Sequence, residues 1–145
     1  MLEYISNTCR ALGFTPILIG GWAMNFLGCP RQTLDIDLML SEEEAGVRQK
    51  ELEKKGYHEL FRNLVFVRLQ AREDPDIDIV LSDADTITKI RKNGKVFCEH
   101  GAEFVVPTPE HLIAMKLHAM KNQLSARISR DLPDIVALLD VADIR

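Results

Sequence analysis

The segment Ile19-Gly-Gly-Trp-Ala-Met-Asn-Phe-Leu-Gly-Cys-Pro-Arg-Gln-Thr-Leu-Asp-Ile-Asp-Leu-Met-Leu40 closes one apolar run with Gly20-Gly21 and opens a second that carries Asp35 and Asp37. Leu34, Ile36, Leu38 and Leu40 alternate with Thr33, Asp35, Asp37 and Met39. A strand over this run therefore puts both carboxylates on one face and packs the other in a core. Upstream, Thr15-Pro-Ile-Leu-Ile reads as a buried strand, and Trp22 to Leu27 as a helix leaving the glycine turn. A strand, a Gly turn and a helix start together offer backbone N–H groups suited to an anion.

The same pattern returns at Asp76-Ile-Asp-Ile-Val-Leu, with Ile77, Ile79 and Leu81 on one face and Asp76, Asp78 and Val80 on the other. If the two acidic strands are neighbours, Asp35, Asp37 and Asp78 converge. Like charges so placed repel by kcal/mol-scale energies, so they must protonate, separate or bind a cation. Hard oxygen donors favour Mg²⁺ or Mn²⁺ over zinc.

The remaining segments read as scaffold. Leu2, Ile5, Cys9 and Leu12 have helical spacing, with Gly13 as the stop. Ser41 and Glu44 form a capping box for a surface helix from about Glu42 to Lys55, ended by Gly56. Tyr57–Leu60 and Leu64–Leu69 read as paired strands around Arg62-Asn63. Thr86–Ile90, Lys95–Cys98 and Glu103–Val106 read as short strands, with Asn93-Gly94 as a hairpin turn.

Thr108-Pro-Glu opens a helix whose apolar arc is Leu112, Ile113, Met115, Leu117, Ala119, Met120 and Leu124. Lys116 lies in the middle of that arc. An ammonium there either snorkels out past its neighbours or meets an anion in the site. Gln123, on the same face, reads as a rim residue. A last helix is expected from near Leu132, with Asp131 as cap, Pro133 in its first turn and Asp134 favouring the dipole. Ile135, Val136, Leu138, Leu139 and Val141 give it an apolar face to pack beside the Lys116 helix.

A chain of 145 residues predicts one domain spanning 1–145. With 46% hydrophobic and 28% charged residues, and neither a long apolar run nor a signal-type N-terminus, the expectation is a cytoplasmic protein with no membrane segment. Cys9, Cys29 and Cys98 lack the spacing of a disulfide framework or zinc site and read as free thiols. His58, His100, His111 and His118 form no recognisable ligand set. A net charge of −4 argues against an overall nucleic-acid-binding surface. Arg62, Arg68, Arg72, Lys89, Arg91, Lys92 and Lys95, with Lys116, Lys121, Arg127 and Arg130, either line a phosphate-attracting groove or are scattered solvated charges.

Gly20-Gly21, then Leu34-Asp35-Ile36-Asp37-Leu38, then Ile77-Asp78-Ile79 together resemble the signature of the nucleotidyltransferase superfamily, which shares the fold of DNA polymerase beta. Gly20-Gly-Trp-Ala with Arg31 ahead of Asp35-Ile-Asp-Leu is similar to the aminoglycoside and lincosamide nucleotidyltransferases. Pro107-Thr-Pro-Glu-His-Leu-Ile-Ala-Met-Lys-Leu-His-Ala and Arg130-Asp-Leu-Pro-Asp resemble the AbiEii-type toxin nucleotidyltransferases, a likeness that covers more of the chain, from Ile17 to Leu139.

The resemblance implies a minimal α/β (α+β) nucleotidyltransferase fold, with a mixed sheet flanked by helices and a C-terminal helix pair. It implies transfer of an NMP from an NTP to a hydroxyl of RNA, protein or a small molecule, and an antitoxin-like protein partner. Asp35, Asp37 and Asp78 would be the catalytic and Mg²⁺- or Mn²⁺-binding residues, and Gly20, Gly21, Arg31, Thr33 and Lys116 would meet the nucleotide. Thr33 either touches a metal-bound water or fills space. A noncatalytic nucleotide-binding regulatory module and an antibiotic adenylyltransferase are the alternatives. A phospho-acceptor receiver domain is disfavoured because Ile36 separates the two acids, and an Asp-x-Asp-x-Thr phosphatase because Met39 replaces the Thr.

Overall fold

The computed structural model describes residues 1–29, 32–99, 101–122 and 125–142, with backbone alone for 119–122 and 125–131. In chain order the elements are α1 (Leu2–Ala11), β1 (Ile17–Ile19), α2 (Gly20–Phe26), β2 (Ile36–Leu40), α3 (Glu42–Glu53), β3 (His58–Arg62), β4 (Phe66–Gln70), β5 (Ile77–Leu81), α4 (Ala84–Asn93), β6 (Lys95–Glu99), β7 (Ala102–Val106), α5 (Pro109–Asn122) and α6 (Ser125–Ala142). The strands form a single mixed sheet in the order β3-β4-β5-β2-β1-β7-β6. β2 runs parallel to β5 and antiparallel to β1. β4 is antiparallel to β5, and β1 parallel to β7.

The sheet centre follows from the apolar runs. Ile17, Leu18, Leu38, Leu40, Ile77 and Ile79 are all at or near zero exposure, each such side chain contributing about 1.5–3 kcal/mol of burial. Ile5 and Cys9 of α1 join that core, and Gly13 at φ +96° turns the chain out of the helix. The capping box of α3 is formed in both directions, Glu44 N–H donating to Ser41 Oγ at 3.2 Å and Ser41 N–H to Glu44 Oε1 at 3.1 Å. Thr108 Oγ1 likewise accepts from His111 N–H at the start of α5. The helix pair α5 and α6 packs together as expected, with Ile135 and Leu138 buried, but Val136 and Val141 are exposed and leave the apolar face read for α6.

Several expectations are corrected. Thr86–Ile90 is no strand: Asp83 caps α4 by accepting from Thr86 N–H at 2.8 Å, and Ile87 and Ile90 turn into the core. Asn93-Gly94 ends that helix, and the hairpin lies between β6 and β7, where Glu99 faces Ala102 and Gly101 has φ +81°. Strand β2 begins only at Ile36, so Leu34 is 83% exposed and packs in no core. Leu117 leaves the apolar arc of α5, being about half exposed. The last helix starts at Ser125 and carries Pro133 inside it, so Asp131 and Asp134 are not its N-terminal residues. The side chains proposed at Ala119, Met120, Lys121, Gln123, Leu124, Arg127, Arg130 and Asp131, with Arg31 and His100, lie outside the described residues.

Candidate active site

The register of four adjacent strands assembles the site. Ile19 pairs with Asp37 across β1 and β2, Asp37 with Asp78 across β2 and β5, and Asp78 with Arg68 across β5 and β4. Asp35, two residues before Asp37, stands exposed at the approach to β2, and its charge reaches Asp37. Sequence alternation thus becomes a row of carboxylates across the sheet, closed by a guanidinium.

Asp37 is half-buried, and its pKa is pushed up to about 6, first by burial and then by the charges of Asp78 and Asp35. Lys116 and Arg68 act in the opposite direction on the same group. Asp78 is 7% exposed, and Arg68 grips both its oxygens, Nε donating to Oδ1 at 2.7 Å and Nη2 to Oδ2 at 2.9 Å. A bidentate fork of this kind is stronger than a single contact and fixes the carboxylate plane. Phe66, two residues before Arg68, lies with its ring centroid 5.8 Å from the guanidinium carbon.

The glycine pair has a packing reason. Gly20 has φ +69°, and a Cβ there would come within 2.7 Å of Asp37 Cγ. A Cβ on Gly21 would meet Thr33 at 2.7 Å from its Cβ and 2.8 Å from its Oγ1. Thr33 donates from Oγ1 to the Asp35 carbonyl at 3.1 Å, fixing the turn that leads into the acidic strand. Gly20, Gly21, Thr33, Asp35 and Asp37 are therefore one packed unit.

Lys116 neither snorkels free nor stands alone: its Nζ donates to Asp134 Oδ2 at 3.0 Å, both side chains being largely buried. This contact joins α5 to α6 within electrostatic reach of Asp37. Asp134, read from sequence as a dipole residue, is thus part of the surroundings of the site. Arg68 was visible only as one charge among many. The signal that places it is its position between Val67 and Leu69, whose burial leaves Arg68 on the face it shares with Asp78.

Other basic residues have structural duties. Arg91 donates to both Glu44 oxygens, at 2.7 and 3.1 Å, and to the Thr15 carbonyl at 3.0 Å, tying α4 to α3 and to the approach of β1. A separate open cleft is lined by Ser41, Glu42, Leu64, Leu81, Ser82 and Asp83, past the last residues of β2 and β5 and so away from Asp37 and Asp78. Ser41 and Asp83 there serve as helix caps.

Among the described residues, no three His, Cys, Asp or Glu side chains are gathered as a ready-made metal site. The donor chemistry nevertheless fits a hard divalent ion. Asp37 and Asp78 face each other in register, and the charge of Asp35 reaches Asp37, whose pKa is raised first by burial and then by these two neighbours. An ion of the Mg²⁺ type is commonly held by one or two carboxylates plus substrate phosphates rather than by an all-protein cage.

A model of the family described as "Nucleotidyl transferase AbiEii toxin, Type IV TA system" matches residues 11–145. No curated protein sequence matches the chain. Among solved structures, the lincomycin-bound lincosamide antibiotic adenylyltransferase LnuA superposes with a TM-score of 0.67 at 18% identity, covering 97% of this chain and 95% of that one. ANT(2″)-Ia in complex with adenylyl-2″-tobramycin gives 0.69 at 16% identity, covering 94% and 84%. An antigenic nucleotidyltransferase-like protein from Paracoccidioides brasiliensis gives 0.62 at 14% identity, covering 97% and 74%. These likenesses establish a shared fold. No helix among the described residues is long and apolar enough to cross a membrane.

Proposed function

The chain belongs to the AbiEii nucleotidyltransferase family, and on that premise we propose that it transfers an NMP from an NTP to a hydroxyl acceptor, as the toxin of a toxin–antitoxin pair. The observation that carries this reading is the register that sets Asp37 directly beside Asp78, with Asp35 two residues before Asp37 at the approach to β2. Asp35 and Asp37 would hold Mg²⁺ or Mn²⁺ brought in with the triphosphate, and the ion would neutralise phosphate charge. Gly20 and Gly21, having no side chains, keep the turn beside these carboxylates narrow and leave its backbone open to phosphate oxygens.

The acceptor oxygen attacks the α-phosphorus, a new P–O bond forms, the α–β bridging bond breaks, and pyrophosphate leaves. The hydroxyl proton passes to Asp78 or to water. Most of the acceleration comes from placement and charge compensation. Lys116, held by Asp134 near Asp37, would lie in reach of the outer phosphates. Arg31 is a second candidate for that role, and Thr33 supports the loop between them. The antitoxin partner rests on the family description alone.

The test is transfer of label from each α-³²P NTP with Mg²⁺ or Mn²⁺ to total cellular RNA, to protein, or to lincomycin and tobramycin. Label in RNA or protein that disappears in Asp35→Ala supports the toxin reading. Label only in the antibiotics supports an adenylyltransferase of resistance type. NTP binding without any transfer identifies a noncatalytic regulatory module.

A further inference from the structure

Arg68 is the cation in direct contact with the carboxylate row. It stands on β4 directly across from Asp78, donates to both its oxygens, and rests beside the Phe66 ring. Its own side chain is 40% exposed, whereas that of Asp78 is 9% exposed, so the cation approaches a buried carboxylate from the solvent side. Asp78 in turn faces Asp37 in register. Three carboxylates thus share their field with a resident cation at one end of the row.

We propose that Arg68 is the counter-cation of the carboxylate row: by holding Asp78 with a bidentate fork, it compensates the charge that a free divalent ion would otherwise find, and keeps the site selective for an ion that arrives already bound to triphosphate. This inference rests on the nucleotidyltransferase reading and adds to it a residue that sets ion affinity. Two observations support it. Both Asp78 oxygens are engaged by Arg68, and Asp78 is the direct register neighbour of Asp37, so the guanidinium sits one strand away from the carboxylate expected to hold the ion. A positive charge beside a cation site lowers cation affinity by direct repulsion and by competition for the same oxygens. An ion carried by NTP brings phosphate ligands of its own and depends less on Asp78. Arg68 acts through Asp78 and is a positioning residue.

The experiment is titration of nucleotide-free protein with Mn²⁺, read by loss of the free-ion electron paramagnetic signal, in the wild type, Arg68→Gln, Arg68→Lys and Asp37→Asn, with circular dichroism melts for each. Arg68→Gln should bind free Mn²⁺ roughly three- to tenfold more tightly, the size expected for removing one partly screened charge. Arg68→Lys, which keeps the charge and loses the fork, should fall between the wild type and Arg68→Gln, because charge repulsion remains while one Asp78 oxygen is released. Affinity for Mn²⁺ carried by a non-hydrolysable NTP analogue should change much less, so the ratio of the two affinities falls in Arg68→Gln. Unchanged or weaker free-ion binding in a folded Arg68→Gln overturns the inference.

If Arg68→Gln fails to fold, the wild type still decides. The Arg68 Nε–H resonance, assigned by its loss in Arg68→Lys, should shift when Mg²⁺ and the NTP analogue are added, and an unmoved resonance overturns the inference. Asp37→Asn separates the two levels. If it leaves Mn²⁺ binding untouched, the placement of the ion site itself is wrong. If it abolishes binding while Arg68→Gln does not tighten it, only the role of Arg68 fails.

Discussion

Gly20 combines a φ of +69° with a position where a Cβ would press on the Asp37 carboxyl. Gly20→Ala should therefore lose about 1–2 kcal/mol from the left-handed backbone alone and displace Asp37 as well. Chemical denaturation and NTP binding of the variant check both parts. Asp37 carries a pH signature. Its folded pKa is raised from 3.8 to about 6, so its contribution favours folding below about pH 4 and is lost as the pH rises through 6. In chelator-treated protein the urea midpoint should fall across that window. Asp37→Asn should remove that component of the slope and be more stable than the wild type near pH 8 by up to about 3 kcal/mol. The three acids were legible in the sequence because period-two alternation exposes a charge placed inside an apolar run. Gly20 was legible as a turn, but its reason, contact with Asp37, depends on the pairing of Ile19 with Asp37, which no local pattern reveals.

At the level of elements, Glu44 joins two devices: it completes the capping box of α3 and receives both arms of Arg91 from α4. Ser41→Ala should cost about 1 kcal/mol through the lost cap. Glu44→Ala should cost about 2–3 kcal/mol, because the Arg91 guanidinium then also loses a charged, partly buried partner. Thermal melts of the two variants and the double variant check the ordering, with the double falling short of the sum because Ser41 and Glu44 share one cap. Caps at Ser41 and Thr108 were readable because they act within three residues. Helix α4 is hidden in the sequence because Thr86, Ile87, Thr88 and Ile90 are β-branched and favour a strand, whereas the Asp83 cap and burial of Ile87 and Ile90 settle it as a helix. Pro133 was read as a first-turn residue by its usual preference, yet α6 runs through it. The interhelical Lys116–Asp134 contact, 18 residues apart in sequence, overrides the local dipole reading of Asp134.

For the whole molecule, the strand order decides what sequence alone leaves open. β5 returns beside β2 after α3, β3 and β4, and only that parallel pairing brings Asp78 next to Asp37. The mixed sheet with its flanking helices followed from the resemblance, while apolar periodicity gave individual strands and helices and the packing of the last two helices on each other. The Arg68–Asp78 fork did not, because it joins two strands through register and has no motif of its own. The central claim is that this row of carboxylates receives a metal–triphosphate complex. Its most direct measurement is the anomalous scattering of Mn²⁺ in crystals of the protein soaked with a non-hydrolysable NTP analogue. The account predicts an ion peak on the Asp35 and Asp37 carboxylates with the triphosphate against Gly20-Gly21. Mn²⁺ and triphosphate bound instead at the Ser41–Asp83 cleft, or with no Asp35 or Asp37 contact, would contradict it.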